Sequence, residues 1–144
     1  MATLQMLGFD DLDDAFNRIA KIPFEVTEEA LKQMASVASS KIANVGESMG
    51  VRDPESNVHI LDKVKPAKPK QTVGGGRCDI TFSGSRTRHG TTTTNNEIAF
   101  INEYGKRGQP ARPFIKTAME RYADEIAEPG EKIVADWIEN EFMK

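Results

Sequence analysis

The side chains with the most obvious reactive chemistry in this sequence are His59, His89 and Cys78. Metal sites of the zinc type draw their ligands from closely spaced Cys and His. Neither histidine has such a partner, and Cys78 is the sole cysteine, far from any Cys-x-x-Cys pattern. A cysteine nucleophile needs an adjacent base, and the sequence gives little support for one. The plainer readings are a partly buried packing residue for His59, a solvated one for His89, and a small core residue on a strand for Cys78. The glycine-rich "VGGGR" lacks the Gly-Lys-Ser/Thr of a phosphate loop and does not open a helix, so it reads as a hairpin turn. The pairs Asp10/Asp11 and Asp13/Asp14 suit a helix start better than paired acid–base catalysis. The expectation is a protein without catalytic, metal or cofactor sites, and not an enzyme.

Charge is the second chemistry. Residues 63–88 hold seven bases (Lys63, Lys65, Lys68, Lys70, Arg77, Arg86, Arg88) against one acid, Asp79, whereas residues 120–144 hold eight acids and three bases. The lysines can guard an edge strand against pairing with other chains, or they can meet phosphates or an acidic partner. No aromatics alternate with them, which weakens single-strand nucleic-acid binding. A third reading sets the basic arm of one subunit against the acidic surface of the next.

These residues need a frame. The chain has 144 residues, a net charge of -3 and 38% apolar residues, as expected of one domain spanning 1–144. That balance argues against wholesale nucleic-acid binding. No stretch reaches the roughly 20 apolar residues of a membrane helix, and the acidic N-terminus is unlike a signal peptide. A lone cysteine is consistent with synthesis in a reducing cytoplasm.

Helices are expected over 10–50: a short one from Asp10 or Asp11 to Pro23, then a long one from Thr27 to Met49 with Leu31, Met34, Ala35, Ala38, Ile42, Val45 and Met49 on one stripe. Gly50 is the expected stop. A β-sheet is expected over 58–104. Its parts are a proline-broken edge strand, a turn at Gly74, Gly75 and Gly76, the alternating strand "RCDITFSG", and a mobile polar loop at 83–96 forming the tip of a long hairpin. "NEIAFINEY" is read as the returning strand. C-terminal helices follow over 113–143, interrupted at Pro129. The class is α+β, an antiparallel sheet with a long hairpin, packed by the long helix and the C-terminal helices. Trp137 reads as core, with docking as its alternative role.

Between sheet and C-terminal helices lies a stiff joint of Tyr104, Gly105, Gly108, Pro110, Arg112, Pro113 and Phe114. Pro113 suits a first helical turn, Phe114 would anchor the core, and Arg112 could close the turn onto its own carbonyls. Exposed Lys106 and Arg107 are the interface candidates. "AFINEYGKRGQPARPFIKTA" resembles the tail-completion group of head–tail joining and tail-component proteins of long-tailed double-stranded DNA phages. Phe100, Tyr104, Gly105, Pro110, Ala111, Arg112, Pro113 and Phe114 carry the likeness. "LGFDDLDDAFNRIAKIP", the long helix and "NVHILDKVK" extend it upstream. The chain departs from the pattern at Gly105-Lys106-Arg107, where Gly-Thr is usual, and at "GESMG", where a proline-containing helix end is usual. The resemblance implies a structural virion protein of the neck or tail, made in the host cytoplasm. It would form a ring of copies of itself beside head-completion and tail-terminator neighbours, with DNA passing through the lumen without being read. The alternative is a DNA-binding module using the basic hairpin 63–88.

Overall fold

The computed structural model describes residues 21–51, 59–73 and 75–143. The expected first helix and the turn cluster around Pro54 lie outside them. The fold is α+β: among the described residues, four α-helices surround three small antiparallel sheets. No described helix is long and apolar enough to cross a membrane.

The longest element is α1, Phe24–Ser48, 25 residues or about 37 Å. It starts three residues before the expected Thr27 because Pro23, at φ -63°, already presets the backbone, and Glu25 meets the helix dipole in the first turn. Its inward face is built of small residues: Ala30, Ala35, Ala38, Ser39 and Gly46 are buried beside Ile42 and Val45. Small residues let neighbouring elements approach closely. A Cβ on Gly46 would lie 2.5 Å from Leu61 Cδ2 and 3.2 Å from Phe114. Gly50, at φ +73°, follows the cap at Met49 and ends the helix as its sequence position implies.

A 3₁₀ turn, Ile60–Asp62, buries Ile60 and Leu61. Strand β1, Val64–Pro66, then pairs with β4, Ile80–Phe82, in the register Val64↔Phe82. Between them, β2, Lys70–Thr72, pairs with β3, Gly75–Arg77. The expected turn is therefore shorter than thought, since Gly75 and Gly76 are already in a strand. The expected single sheet is instead three separate two-stranded ladders. The prolines Pro66 and Pro69 and the break at Cys78-Asp79 interrupt donors and pairing too often for a continuous sheet.

Residues 83–96 are not an irregular loop. They hold a second hairpin, β5, Ser85–Arg88, and β6, Thr91–Thr94, turned by His89 and Gly90 at φ +52° and +80°. Two positive φ values make the two-residue turn whose twist suits a hairpin. The Thr87 and Thr92 hydroxyls hydrogen-bond across it at 2.9 Å.

The larger correction concerns "NEIAFINEY", which is helix α2, Asn95–Tyr104. Nine residues with apolar and polar types mixed fit period 2 and period 3.6 almost equally. The cap decides: the Thr94 hydroxyl accepts from the Glu97 N–H at 3.2 Å, with Glu97 in the third helical position. The buried set Asn95, Ala99, Asn102 and Glu103 has helical spacing.

Helix α3, Phe114–Arg121, and helix α4, Ala123–Phe142, break at Tyr122, not at Pro129. Proline inside a helix costs about 3 kcal/mol. Here Ile126 and Gly130 are buried, and α4 packs closely enough on α1 that a Cβ on Gly130 would strike Met34. Lys41 of α1 holds Glu125 at 2.7 Å and lies over the Tyr122 ring. The hydrogen bond that Lys41 donates to the Glu125 carboxylate raises the lysine pKa above its ordinary value.

The core gathers Ile42, Val45, Val51, Ile60, Leu61, Phe82, Ala99, Phe114 and Ala118. Phe114 is fully enclosed and meets Phe82 edge to face, with ring centroids 6.0 Å apart. Phe114→Ala is expected to cost about 3–5 kcal/mol, a large share of the roughly 5–15 kcal/mol that a domain has. Chemical denaturation of the purified variant checks it.

Candidate functional site

The joint is a chain of hydrogen bonds in which each partner is supplied by the element before or after it. Helix α2 ends at Gly105, whose φ of 79° and ψ of 175° belong to a region that only glycine occupies readily. A side chain there would also meet the Ala111 backbone nitrogen at 2.8 Å. Lys106 and Gln109 exchange backbone hydrogen bonds of 3.0 and 2.9 Å, closing a two-residue turn over Arg107 and Gly108, with Gly108 at φ +84°. The Arg112 N–H then donates to the Asn102 carbonyl at 2.6 Å.

Pro113 does not occupy the first helical position. At φ -76° and ψ 65° it is the centre of an inverse γ-turn, and the Phe114 N–H donates back to the Arg112 carbonyl at 2.7 Å. As the N-cap residue of α3 it has no side chain with which to cap. Glu103 does this instead. Its carboxylate accepts from the Ile115 N–H at 2.8 Å and the Lys116 N–H at 3.0 Å, at a helix start where negative charge is favoured. Glu103 is buried at 7% exposure. A buried carboxylate is tolerated where charge-assisted hydrogen bonds replace water.

Arg112 also departs from expectation. Its guanidinium donates at 2.8 Å to the carbonyl of Gly50, 62 residues earlier, and not to a carbonyl of the joint. It ties the joint to the end of α1. Tyr104 is exposed, its ring tilted by 49° against Phe100 with centroids 4.8 Å apart, and Pro110 is exposed.

The basic residues divide into two groups. Arg86 and Arg88 of the β5–β6 hairpin, Lys106 of the turn and Arg112 line one cleft of about 570 Å³. His59, Thr91, Thr93 and Gln109 share its walls, with no carboxylate among the described lining residues. Arg86 and Arg88 each have an interaction partner already. Lys63, Lys65, Lys68 and Lys70 do not line the cleft; they are exposed on or beside β1 and β2. Lys65 and Lys70 lie on the short strands β1 and β2, where a charged side chain disfavours pairing with another chain. Arg107 is exposed at the tip of its turn, and Trp137 is half-buried on α4.

Among the described residues, no three of His, Cys, Asp and Glu cluster as a metal site would need. The Cys78 thiol donates to the Ala67 carbonyl at 3.2 Å. Burial, and then the charge of Asp79, push its pKa above the ordinary value.

Sequence reasoning missed Glu103, Asn95 and Asn96. The Asn95 side chain donates to the Ser83 carbonyl at 2.7 Å, and the Asn96 carbonyl oxygen accepts from the Phe82 N–H at 2.9 Å. Together they fasten the helix start to the end of β4. The Thr94-x-x-Glu97 capping pattern was the signal available for this region. Compared with protein-family models, curated proteins and solved structures, the chain matches none.

Loss of the Glu103 cap should cost about 2 kcal/mol in Glu103→Ala, and less in Glu103→Gln, which keeps one acceptor. Arg112→Ala, at a solvent-facing carbonyl, should cost only about 0.5–1.5 kcal/mol. Thermal melts of the three proteins give the order. At neutral pH, Cys78 should react with iodoacetamide more slowly than free cysteine, because its raised pKa leaves less thiolate; mass spectrometry of timed samples measures it.

Proposed function

We propose that this protein is a structural component of a phage or prophage virion, acting at the neck or tail end in head–tail joining or tail completion. It works as a ring of identical subunits beside head-completion and tail-terminator proteins, with DNA passing through the lumen unread. The observation that carries this reading is where the resembling residues sit. Gly105, Arg112, Pro113 and Phe114 set the handover from α2 to α3, and Phe114 fills the core. These residues carry the likeness, although the segment before them is helix α2 where the resemblance implies an apolar strand ending in an aromatic and a glycine. The β5–β6 hairpin adds a basic arm outside that core, of the kind that assembly contacts use.

A second reading, a DNA-binding module, draws on the basic residues of 63–88. It requires affinity that falls steeply with salt, which duplex binding at two ionic strengths would reveal.

Electron microscopy of a lysate from phage lacking this gene should show filled heads and finished tails apart from each other; normal virions would refute the reading. Complementation with Cys78→Ala, or with His89→Asn, which keeps a residue tolerant of positive φ, is expected to restore yield to within a few-fold of wild type. A large loss with the fold intact would reveal chemistry at that side chain.

A further inference from the structure

We propose that residues 3–7 of this chain add a third strand to the outer edge of β4 and fill the apolar groove beside it. The ladder defines that edge. The Ala67 and Ser83 N–H groups donate across it to the Asp79 and Lys63 carbonyls. The backbone groups of Asp79, Thr81 and Ser83 therefore face β1, and those of Ile80 and Phe82 face away from it. The Asn96 side chain takes the Phe82 N–H. Among the described residues no other strand lies on this edge, so the N–H and C=O of Ile80 and the C=O of Phe82 are open to a partner. The outer edge of β1 is different, because the residue opposite Ile80 there is Pro66, which has no N–H to offer.

Helix α2 runs beside the open edge. Phe82, Ala99, Phe100, Tyr104 and Ile115 line a groove of about 470 Å³ between them. Phe100 and Tyr104 are 62% and 69% exposed, a high value for two aromatics one helical turn apart. The charged groups of the lining are engaged: Glu103 caps α3, and Lys116 faces Glu120. A strand edge along an apolar groove recognises an extended segment with apolar side chains at alternate positions. From Asn96 to Tyr104 the groove wall is about 12 Å of helix, the length of about four extended residues.

The chain has one such segment outside the described residues. "MATLQMLGF" at its start carries no charged side chain, and Leu4 and Met6 alternate with Thr3, Gln5 and Leu7. Residues 10–20 begin with acids, and 52–58 include Arg52, Asp53, Pro54 and Glu55, so neither suits an apolar groove. The segment also reaches. Phe24, at the start of α1, packs on Gly76 of β3, and Ile80 is four residues further along, at most about 13 Å. The residues between Leu7 and Phe24 span about 24 Å even if wholly helical. Entry from that end runs the segment antiparallel to β4, with Met6 opposite Ile80 and Leu4 opposite Phe82. The contact does not depend on the ring-forming role proposed above.

Hydrogen exchange of the full chain, read by NMR, tests it. In the wild type the Ile80 amide should be protected at least about a hundredfold over an exposed amide, at every protein concentration. Leu4→Asp with Met6→Asp should lower that protection at least about tenfold. The Ser83 amide, bonded to Lys63 inside the ladder, should keep its own protection and so report that the variant folds. Met6→Asp alone serves if the double variant does not fold. Contacts between the Leu4 and Met6 methyls and the Phe100 and Tyr104 rings should appear in the same spectra. An Ile80 amide that exchanges freely in the wild type overturns the inference and leaves the groove to a segment of another protein. Protection that survives both substitutions overturns it too, as does protection that falls on dilution, the mark of a strand supplied by a second copy.

Discussion

The Glu103 carboxylate holds the C-terminal third of this fold in place. Pro113 gives α3 a fixed approach but no cap, and a helix start without acceptors cannot be buried cheaply. Glu103 supplies both acceptors from the end of the preceding helix. The end of α2 and the start of α3 are therefore one cooperative unit. The same unit brings Phe114 to the centre of the core, against Phe82 and above Gly46.

Charge is organised around that neutral centre. The cleft draws its cations from the hairpin, the turn and the segment before α3, so its shape depends on the joint being closed. The exposed acids of α4 share their helix face with Lys132, and one of them, Glu125, is held by Lys41 of α1.

Much of this was legible in the sequence. The small and apolar residues of α1, its end at Gly50, and the core position of Phe114 follow from periodicity and turn chemistry. The failures have physical causes. In α2 nine residues suited two periods, and a hydroxyl cap broke the tie. In the β5–β6 hairpin a histidine stands where Asn or Gly would have announced the turn, and the threonine run alternates no apolar face. At Pro129 local propensity lost to packing on α1. Glu103 was invisible because its partners are backbone N–H groups, which every sequence has. The cleft needed three distant segments to converge, and only two of its four cations stood close together in the chain.

Synthesis proceeds in one direction, and this fold does not. Helix α1 is complete early in translation, yet the partners of its inner face include Phe114, Ala118 and Gly130 from the last third of the chain. The stitch from Arg112 to Gly50 spans 62 residues. At about 5–20 residues per second, the apolar side of α1 waits several seconds for its cover. The nascent chain is thus a substrate for chaperones until its final third emerges, and a message truncated before the joint would yield a sticky helix in place of a small stable domain.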